Sequence, residues 1–356
     1  MNNFWQNKSV FITGHTGFKG SWLSKTLLMF NAEVHGYSRE PITTPSLFNV
    51  VELKREISTH HIGEINDKTK LSDAIKSASP DVIFHLAAQP LVIPSYQDPI
   101  ETWNTNVLGT LNLLEILKTI TKPCTVIIIT TDKVYENNKF TQPFTELDPL
   151  GGYDPYSASK AACEICVDSF RNSFCKDGQP GDHLKIATAR AGNVIGGGDW
   201  SKYRLIPDLA RAYSENKILK IRNPNSIRPW QHVLESISGY LSLARHLHLT
   251  DELIFQSAYN FGPTVNDVLS VEELITETKK HWDIRINIEK NTTQPYEAPI
   301  LSLDSNKAHK YLNWGPKWNS TEAIIKTLKW YQKFFLDEDY KFEFKQQIEE
   351  YFWESV

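Results

Sequence analysis

The seven residues Gly14-His15-Thr16-Gly17-Phe18-Lys19-Gly20 constrain this chain more than any other stretch. They space three glycines as G-x-x-G-x-x-G between a short β-branched run, Ser9 to Gly14 (SVFITG), and a segment from Ser21 to Asn31 that carries Trp22, Leu23, Leu27 and Phe30 at near-helical spacing. Glycine allows a tight turn and a close backbone approach to a ligand, and a helix start offers free amides at the positive end of its dipole. Strand, glycine turn and helix in that order predict a pyrophosphate-binding crossing at the start of a doubly wound sheet. Alone, the triplet would be an ordinary turn. Its weight comes from the alternation that follows.

Further strands are expected near Glu33 to Ser38 and Ile57 to Ile65, then a helix from Asp67 to Ala78 and the apolar run Asp81 to Ala88 (DVIFHLAA). A long helical pattern from Pro99 to Ile120 leads into Cys124 to Thr131 (CTVIIITT), whose unbroken apolar character suits a central parallel strand covered on both faces. A helix from Pro155 to Cys175 and a strand from Lys185 to Val194 complete the series. Beyond about Gly196 the texture changes to short strands, a glycine cluster and isolated helices such as Leu205 to Ser214 and Ser270 to Trp282. The chain closes on helices over Thr321 to Phe335 and Asp337 to Val356. The expected fold is α/β: a Rossmann doubly wound parallel sheet over residues 1–195 and a smaller mixed α/β substrate-binding lobe over 196–356, with some segments returning to the first domain.

Length and charge limit what such a fold serves. At 356 residues the chain suits one large α/β unit with an appended lobe. Lys+Arg 38 against Asp+Glu 42 gives a net charge of -4 and no global field for nucleic acid or an anionic membrane, so an anionic ligand must be met by local cations. Met1 to Lys8 is polar and runs straight into the first strand without a charged-then-apolar leader, and no apolar run reaches membrane-spanning length. A cytoplasmic protein is expected. Of four cysteines, Cys163 and Cys166 spell C-x-x-C, but no second pair or nearby histidine completes a metal set. They are expected in a helix interior, with no metal.

Under the doubly wound reading, Gly14 to Gly20 cradle the phosphates of a dinucleotide. The second strand normally ends in an acidic residue that holds the adenosine ribose, whereas here it ends Gly36-Tyr37-Ser38-Arg39. Arginine at that point accommodates the 2′-phosphate of NADP, so Ser38 and Arg39 leave NAD and NADP both open. Glu64 and Ile65 are expected beside the adenine, and Leu86-Ala87-Ala88-Gln89 along the phosphates and ribose.

Tyr156-Ser157-Ala158-Ser159-Lys160 sets a tyrosine and a lysine four residues apart at a helix start, hence on one face. A nearby ammonium, joined in the complex by the nicotinamide cation, favours the phenolate and fits Tyr156 to take a hydroxyl proton while hydride leaves the same carbon. Preceded by the glycine turn and by Thr130-Thr131-Asp132-Lys133, this pair resembles the extended short-chain dehydrogenases/reductases. Within them the chain is similar to the nucleoside-diphosphate-sugar 4,6-dehydratases, and most of all to the CDP-glucose branch. The matching strings include Phe11 to Trp22, Phe84 to Val92, Thr130 to Glu136, Asp148 to Lys160, Ala189 to Trp200, Leu205 to Asp208 and Ile227 to Val233.

The resemblance implies a redox-neutral dehydration of a nucleoside-diphosphate sugar, with CDP-glucose as the expected partner and NAD as the cofactor. Tyr156 takes the 4-hydroxyl proton as hydride passes to NAD⁺, and the resulting ketone acidifies the proton on carbon 5. Asp132, protonated, serves the departing 6-hydroxyl while Lys133 serves carbon 5; hydride then returns to carbon 6. If Lys133 is neutral it is the base; if protonated, it stabilises the enolate. Thr131 hydrogen-bonds the sugar. Asn193, Arg204 with Leu205 and Ile206, and Arg228 match positions facing the diphosphate, and Tyr259 an element near the nucleotide. The helices Pro99 to Ile120 and Pro155 to Cys175 match those that pair in a homodimer or a dimer of dimers.

Three departures cluster at the substrate side. Ile93-Pro94 stands where the family continues with arginine, the loop Asn137 to Glu146 lacks its aromatic-rich string, and Tyr296 precedes Glu297-Ala298 where histidine is common. A 4,6-dehydratase for another nucleotide or an amino sugar therefore stays open. A 4-epimerase needs no acid and base at carbons 5 and 6, so Asp132-Lys133 counts against it. A cofactor-sensing regulatory protein would not need Tyr156 and Lys160 intact.

Overall fold

A computed structural model describes residues 2–136, 142–221, 223–288 and 301–353. Part of the loop Asn137 to Glu146, all of Tyr296-Glu297-Ala298 and the last three residues of the chain lie outside them. Seven strands form one sheet: β1 (Ser9–Thr13), β2 (Glu33–Ser38), β3 (Thr59–Ile62), β4 (Val82–His85), β5 (Cys124–Ile129), β6 (Leu184–Ala191) and β7 (Ala258–Phe261). Their order is β7-β6-β5-β4-β1-β2-β3, and every neighbouring pair is parallel. The chain winds outward from β1 in one direction and from β4 in the other. The crevice at the carboxyl ends of those two strands is where a doubly wound sheet binds its ligand.

Side-chain alternation explains why the strands read as apolar throughout. Val10, Ile12, Ile127 and Ile129 enter one buried cluster with Trp22, Leu23 and Leu27 of α1 (Phe18–Met29), whereas Phe11, Val126 and Ile128 enter a second with Leu71 and Ile75 of α2 (Lys68–Ala78). Successive residues point to opposite faces, and helices cover both. The second cluster is completed by Leu113 and Leu117 of α3 (Gly109–Leu117) and by Val167 and Phe170 of α4 (Pro155–Phe174). Beyond α5 (Leu205–Ser214), α6 (Val233–Leu249) packs beneath β5 and β6, so the sheet draws both α6 and its edge strand β7 from beyond residue 196. Ile218–Ile221 with Arg285–Ile288, and Ile227–Arg228 with Leu269–Ser270, form separate two-stranded pairs.

Two expected elements are subdivided. The helical pattern from Pro99 to Ile120 contains a π-turn, Asn104–Leu108, between Pro99–Trp103 and α3. This wider turn accompanies a fully buried Asn106, whose side chain accepts from the Gln89 amide (2.8 Å) and donates to Gln89 O (3.1 Å) and Ser159 Oγ (2.8 Å). The strand expected to run to Val194 stops at Ala191, and Val194–Ile195 pairs instead with Gln231–His232. Among the described residues no helix is long and apolar enough to cross a membrane, no three His, Cys, Asp or Glu side chains group to hold a metal, and all four cysteines are free.

Candidate active site

Two cavities meet at Tyr156. The first begins at the glycine turn. Gly14 leaves β1 with φ +78, a conformation L side chains rarely adopt, and a Cβ there would stand 2.8 Å from the Ala87 nitrogen. The turn thus lies directly on the end of β4. Gly17 caps α1 in extended geometry without any side-chain bond to the helix amides, leaving that end open to an anion. Gly14, Thr16, Gly17, Phe18, Lys19 and Gly20 line this cavity with Ser38, Arg39, Glu64, Ile65 and Leu86-Ala87-Ala88. A dinucleotide fits the cradle: an uncapped helix start for its phosphates, and a continuous wall from Arg39 to Tyr156 and Lys160.

Two residues expected on that wall lie elsewhere. His15 turns inward, its Nε2 2.7 Å from His60 Nδ1 and its ring edge-on to Phe48. Burial first, then the neighbouring His60, push its pKa down to about 3. Gln89 spends its amide on Leu91 O and Thr102 Oγ1, shaping the loop after β4. At the ribose end, Thr16 Oγ1 bonds Ser38 Oγ (2.8 Å) and Arg39 O (2.9 Å), while the Arg39 guanidinium lies 3.9 Å from Glu64 and 3.5 Å from Glu101.

At the junction, Asp154 caps α4 by accepting from Ser157 N (3.0 Å), and Pro155 takes the first helical position. Tyr156 N donates to Ser95 Oγ (3.1 Å), which fixes the start of the helix beside the loop after β4. Lys160, one turn on, donates to Ile129 O (3.0 Å); burial holds its pKa below the ordinary value, while Cys163 and Glu164 oppose that. The protein groups around Tyr156 on balance raise its phenol. Burial pushes it up to about 12, against a hydrogen bond with Thr131 and the field of Arg204. The lowering expected in the complex, from Lys160 and a nicotinamide cation together, acts against that burial.

Immediately after β5, a 3₁₀ turn (Asp132–Val134) presents Asp132 and Lys133. Thr131 Oγ1 donates to Asp132 Oδ1 (3.0 Å), and Lys133 Nζ lies 3.9 Å from the same oxygen. Asp132 Oδ2 is buried without a hydrogen-bond partner, which leaves it available to a ligand hydroxyl. It fits beside Gly192, where a Cβ would stand 3.0 Å from the Asp132 carboxyl carbon.

Thr131, Asp132, Lys133 and Tyr156 line the second cavity together with Asn193, Arg204, Leu205, Ile206 and Arg228. Asn193 Oδ1 is buried and unpartnered, Arg204 Nη1 bonds Asp199 (2.8 Å), and Arg228 Nη1 donates to Ile227 O (2.8 Å). Tyr259 lines neither cavity. It is fully buried on β7, its hydroxyl donates to Ile254 O (3.1 Å), and Lys307 Nζ stands 4.5 Å from its ring centre; the even-odd alternation of β7 turns it into the core. Ile93 forms part of the wall where the family pattern would have placed a cation.

Ser95, Gly192, Asp199, Lys220 and Asn223 also stand at the site without a local signal in the sequence that marks them, although Gly192 and Asp199 lie within matched strings. Lys19, Lys133, Arg204, Lys220 and Arg228 outnumber Asp132, Asp199 and Asp208 in the cavity lining, so a protein of net charge -4 concentrates positive charge here. Lys19 touches both cavities; burial, Arg204, Lys160 and Lys133 bring its pKa down to about 7 against the opposing pull of Asp132.

A parallel sheet with a glycine turn at its switch point and a Tyr-Lys pair at the carboxyl ends defines a nucleotide-dependent enzyme of the short-chain dehydrogenase/reductase class. Residues 11–327 match the sequence profile of the GDP-mannose 4,6 dehydratase family, and the chain belongs to that family. It is 45% identical over 351 residues to CDP-glucose 4,6-dehydratase of Salmonella typhimurium, an alignment covering 98% of this chain and 97% of that one. The fold is similar to that of an epimerase from Methanothermobacter thermautotrophicus (TM-score 0.79, 23% identity, 94% and 95% of the two chains). It is also similar to that of dTDP-glucose 4,6-dehydratase from Bacillus anthracis in complex with NAD (TM-score 0.72, 24% identity, 92% and 97%).

Proposed function

We propose that this protein is an NAD-dependent CDP-glucose 4,6-dehydratase, yielding CDP-4-dehydro-6-deoxyglucose and water. The observation that carries the reading is the convergence of Tyr156, Thr131, Asp132 and Lys133 on one cavity, with Tyr156 shared by the cofactor cavity. A hydroxyl beside Tyr156 has a proton acceptor, while Asp132 and Lys133 supply the acid and the amine that elimination of water at neighbouring carbons requires. The cavity along Gly14 to Gly20 would hold NAD⁺, which would supply the hydride acceptor for carbon 4 and the donor for carbon 6. Tyr156 takes the 4-hydroxyl proton, Thr131 holds the phenol, Asp132 Oδ2 protonates the departing 6-hydroxyl, and Lys133 takes the carbon-5 proton and returns one there as hydride adds to carbon 6. Arg204, Arg228 and Asn193 bind the diphosphate. The 45% identical relative supports CDP-glucose as the substrate.

Arg39 supports NAD over NADP because Glu64 and Glu101 flank it, and a 2′-phosphate would have to displace or adjoin both carboxylates. Ile100, Trp103, Leu108 and Leu111 are exposed on the helices before and within α3, and Ile165 on the adjoining α4; covering them supports assembly as a homodimer. The test is incubation with NAD⁺ and a panel of CDP-, dTDP-, GDP- and UDP-sugars, read by mass spectrometry. Loss of one water from CDP-glucose without net cofactor reduction is expected. Loss only from another sugar would move the specificity, and interconversion at carbon 4 without water loss would make the protein an epimerase.

A further inference from the structure

Beneath the Asp132-Lys133 turn lies a buried polar network that the reaction as described does not use. Glu164 follows Lys160 by one turn of α4, and its ion pair with Arg190 of β6 is almost wholly excluded from solvent. Arg190 Nε and Nη2 reach the two carboxylate oxygens at 3.0 and 3.1 Å. The remaining lone pairs are taken by Thr130 Oγ1 (2.5 Å) and Thr188 Oγ1 (2.6 Å). Burial alone would raise the Glu164 carboxyl, but Arg190 and the two hydroxyls more than offset it and hold it ionised.

Arg190 Nη1 then donates to Tyr135 Oη (2.8 Å), and Tyr135 Oη donates to Asn260 Oδ1 on β7 (2.6 Å). The Tyr135 ring also lies under the guanidinium, 4.9 Å from its carbon, and stacks on Phe144 at 4.8 Å. Thr130 and Tyr135 stand on either side of Thr131-Asp132-Lys133-Val134. The reactive turn is therefore gripped at both ends by one bidentate ion pair, and that pair is rooted in the helix carrying Tyr156 and Lys160. Replacing so buried a pair by apolar groups would often be neutral for stability, so its presence favours a role in geometry.

We propose that Glu164, Arg190 and Tyr135 are positioning residues that fix the Asp132-Lys133 turn relative to Tyr156, and thereby serve the elimination half of the reaction more than the oxidation half. This rests on the dehydratase reading above. The backbone of Tyr156 is held outside the turn, by Ser95 and the Asp154 cap, while Thr131 touches its phenol from within the turn, so loosening the turn disturbs oxidation less than elimination. A misplacement of about 1 Å costs on the order of 100-fold in a chemical step.

The test uses Tyr135→Phe, which keeps the ring and removes the hydroxyl shared by Arg190 and Asn260, with Glu164→Gln as a second variant. Without substrate, amide exchange across residues 130–136 should quicken by about tenfold, the effect of roughly 1.4 kcal/mol of local opening, while the rest of the sheet is unchanged. In single turnover of Tyr135→Phe, hydride transfer to the cofactor should stay within about threefold and elimination should fall at least about 30-fold, so reduced cofactor accumulates; Glu164→Gln, which also removes a charge beside Lys160, should still lose more elimination than hydride transfer. Wild-type exchange and turnover in both variants would overturn the proposal. So would equal loss of both half-reactions, or failure of Tyr135→Phe to fold, since each would make the network a stability element only. A wild-type protein that dehydrates no sugar would sink the functional reading instead, leaving the exchange result to judge the clamp.

Discussion

Replacing Gly192 by alanine tests the seat of the proposed acid with a single methyl group. Gly192 lines the substrate cavity, and a Cβ built there would lie 3.0 Å from the Asp132 carboxyl carbon, 2.9 Å from Pro229 Cγ and closer still to Asp132 Oδ2. Carbon atoms rest at roughly 3.5–4.0 Å, so the carboxyl must retreat by about 0.5–1 Å. Asp132 Oδ2 is the nearest atom, so the carboxyl is displaced together with the ring of Pro229. A displacement of that size lowers the elimination rate by on the order of 100-fold, about 2.7 kcal/mol of barrier. Overpacking itself costs roughly 1–3 kcal/mol of stability, so the melting temperature is measured alongside. Stopped-flow absorbance at the near-ultraviolet band of reduced nicotinamide separates the steps: Gly192→Ala should form reduced cofactor normally and discharge it slowly. A folded Gly192→Ala protein with wild-type turnover would refute this placement of Asp132.

Other outcomes follow from the same geometry. Tyr156→Phe should abolish oxidation while leaving CDP affinity, measured by calorimetry, within about threefold, because the phenol is not part of the diphosphate set. Lys133→Met should permit hydride transfer and block dehydration, trapping reduced cofactor; normal product formation would remove Lys133 from the chemistry. Glu64→Gln with Glu101→Gln leaves Arg39 uncompensated and should lower the KM for NADP relative to NAD by about fivefold at low salt, with the gain lost at high salt. Burial lifts the Glu235 carboxyl on α6 from its ordinary 4.5 to about 7, although Tyr351 Oη and the Lys317 and Trp318 amides donate to it. The folded protein then holds a proton that the unfolded chain releases, so stability falls by about 3 kcal/mol as pH rises from 4.5 to 7. Thermal melts of Glu235→Gln across that range should be flatter than wild type.

What could be read from the sequence was whatever local spacing encodes. The glycine turn, the four-residue interval from Tyr156 to Lys160 and the adjacent Asp132-Lys133 are short-range patterns, and the fold assembles each as a unit. Burial direction was harder. His15 lies inside a matched motif yet turns beneath the glycine turn to meet His60, and Tyr259 falls on the core side of β7. The π-turn at Asn104–Leu108 leaves no mark in the helical pattern, and Asn106 within it is bonded to a buried partner on α4, 53 positions away. The network under the reactive turn had no local signature, since Tyr135 meets Asn260 across 125 positions. The Tyr156 pKa depends on burial by both walls of the cavity, a quantity that spacing to Lys160 does not contain.

An internal transfer of hydride from carbon 4 to carbon 6 around an elimination can be followed with CDP-glucose deuterated at carbon 4. The product should be lighter by one water, with the deuterium at carbon 6 and the cofactor returned to its oxidised form. Deuterium found at carbon 4 of an intact epimer, or left on the reduced cofactor at the end of turnover, would contradict it.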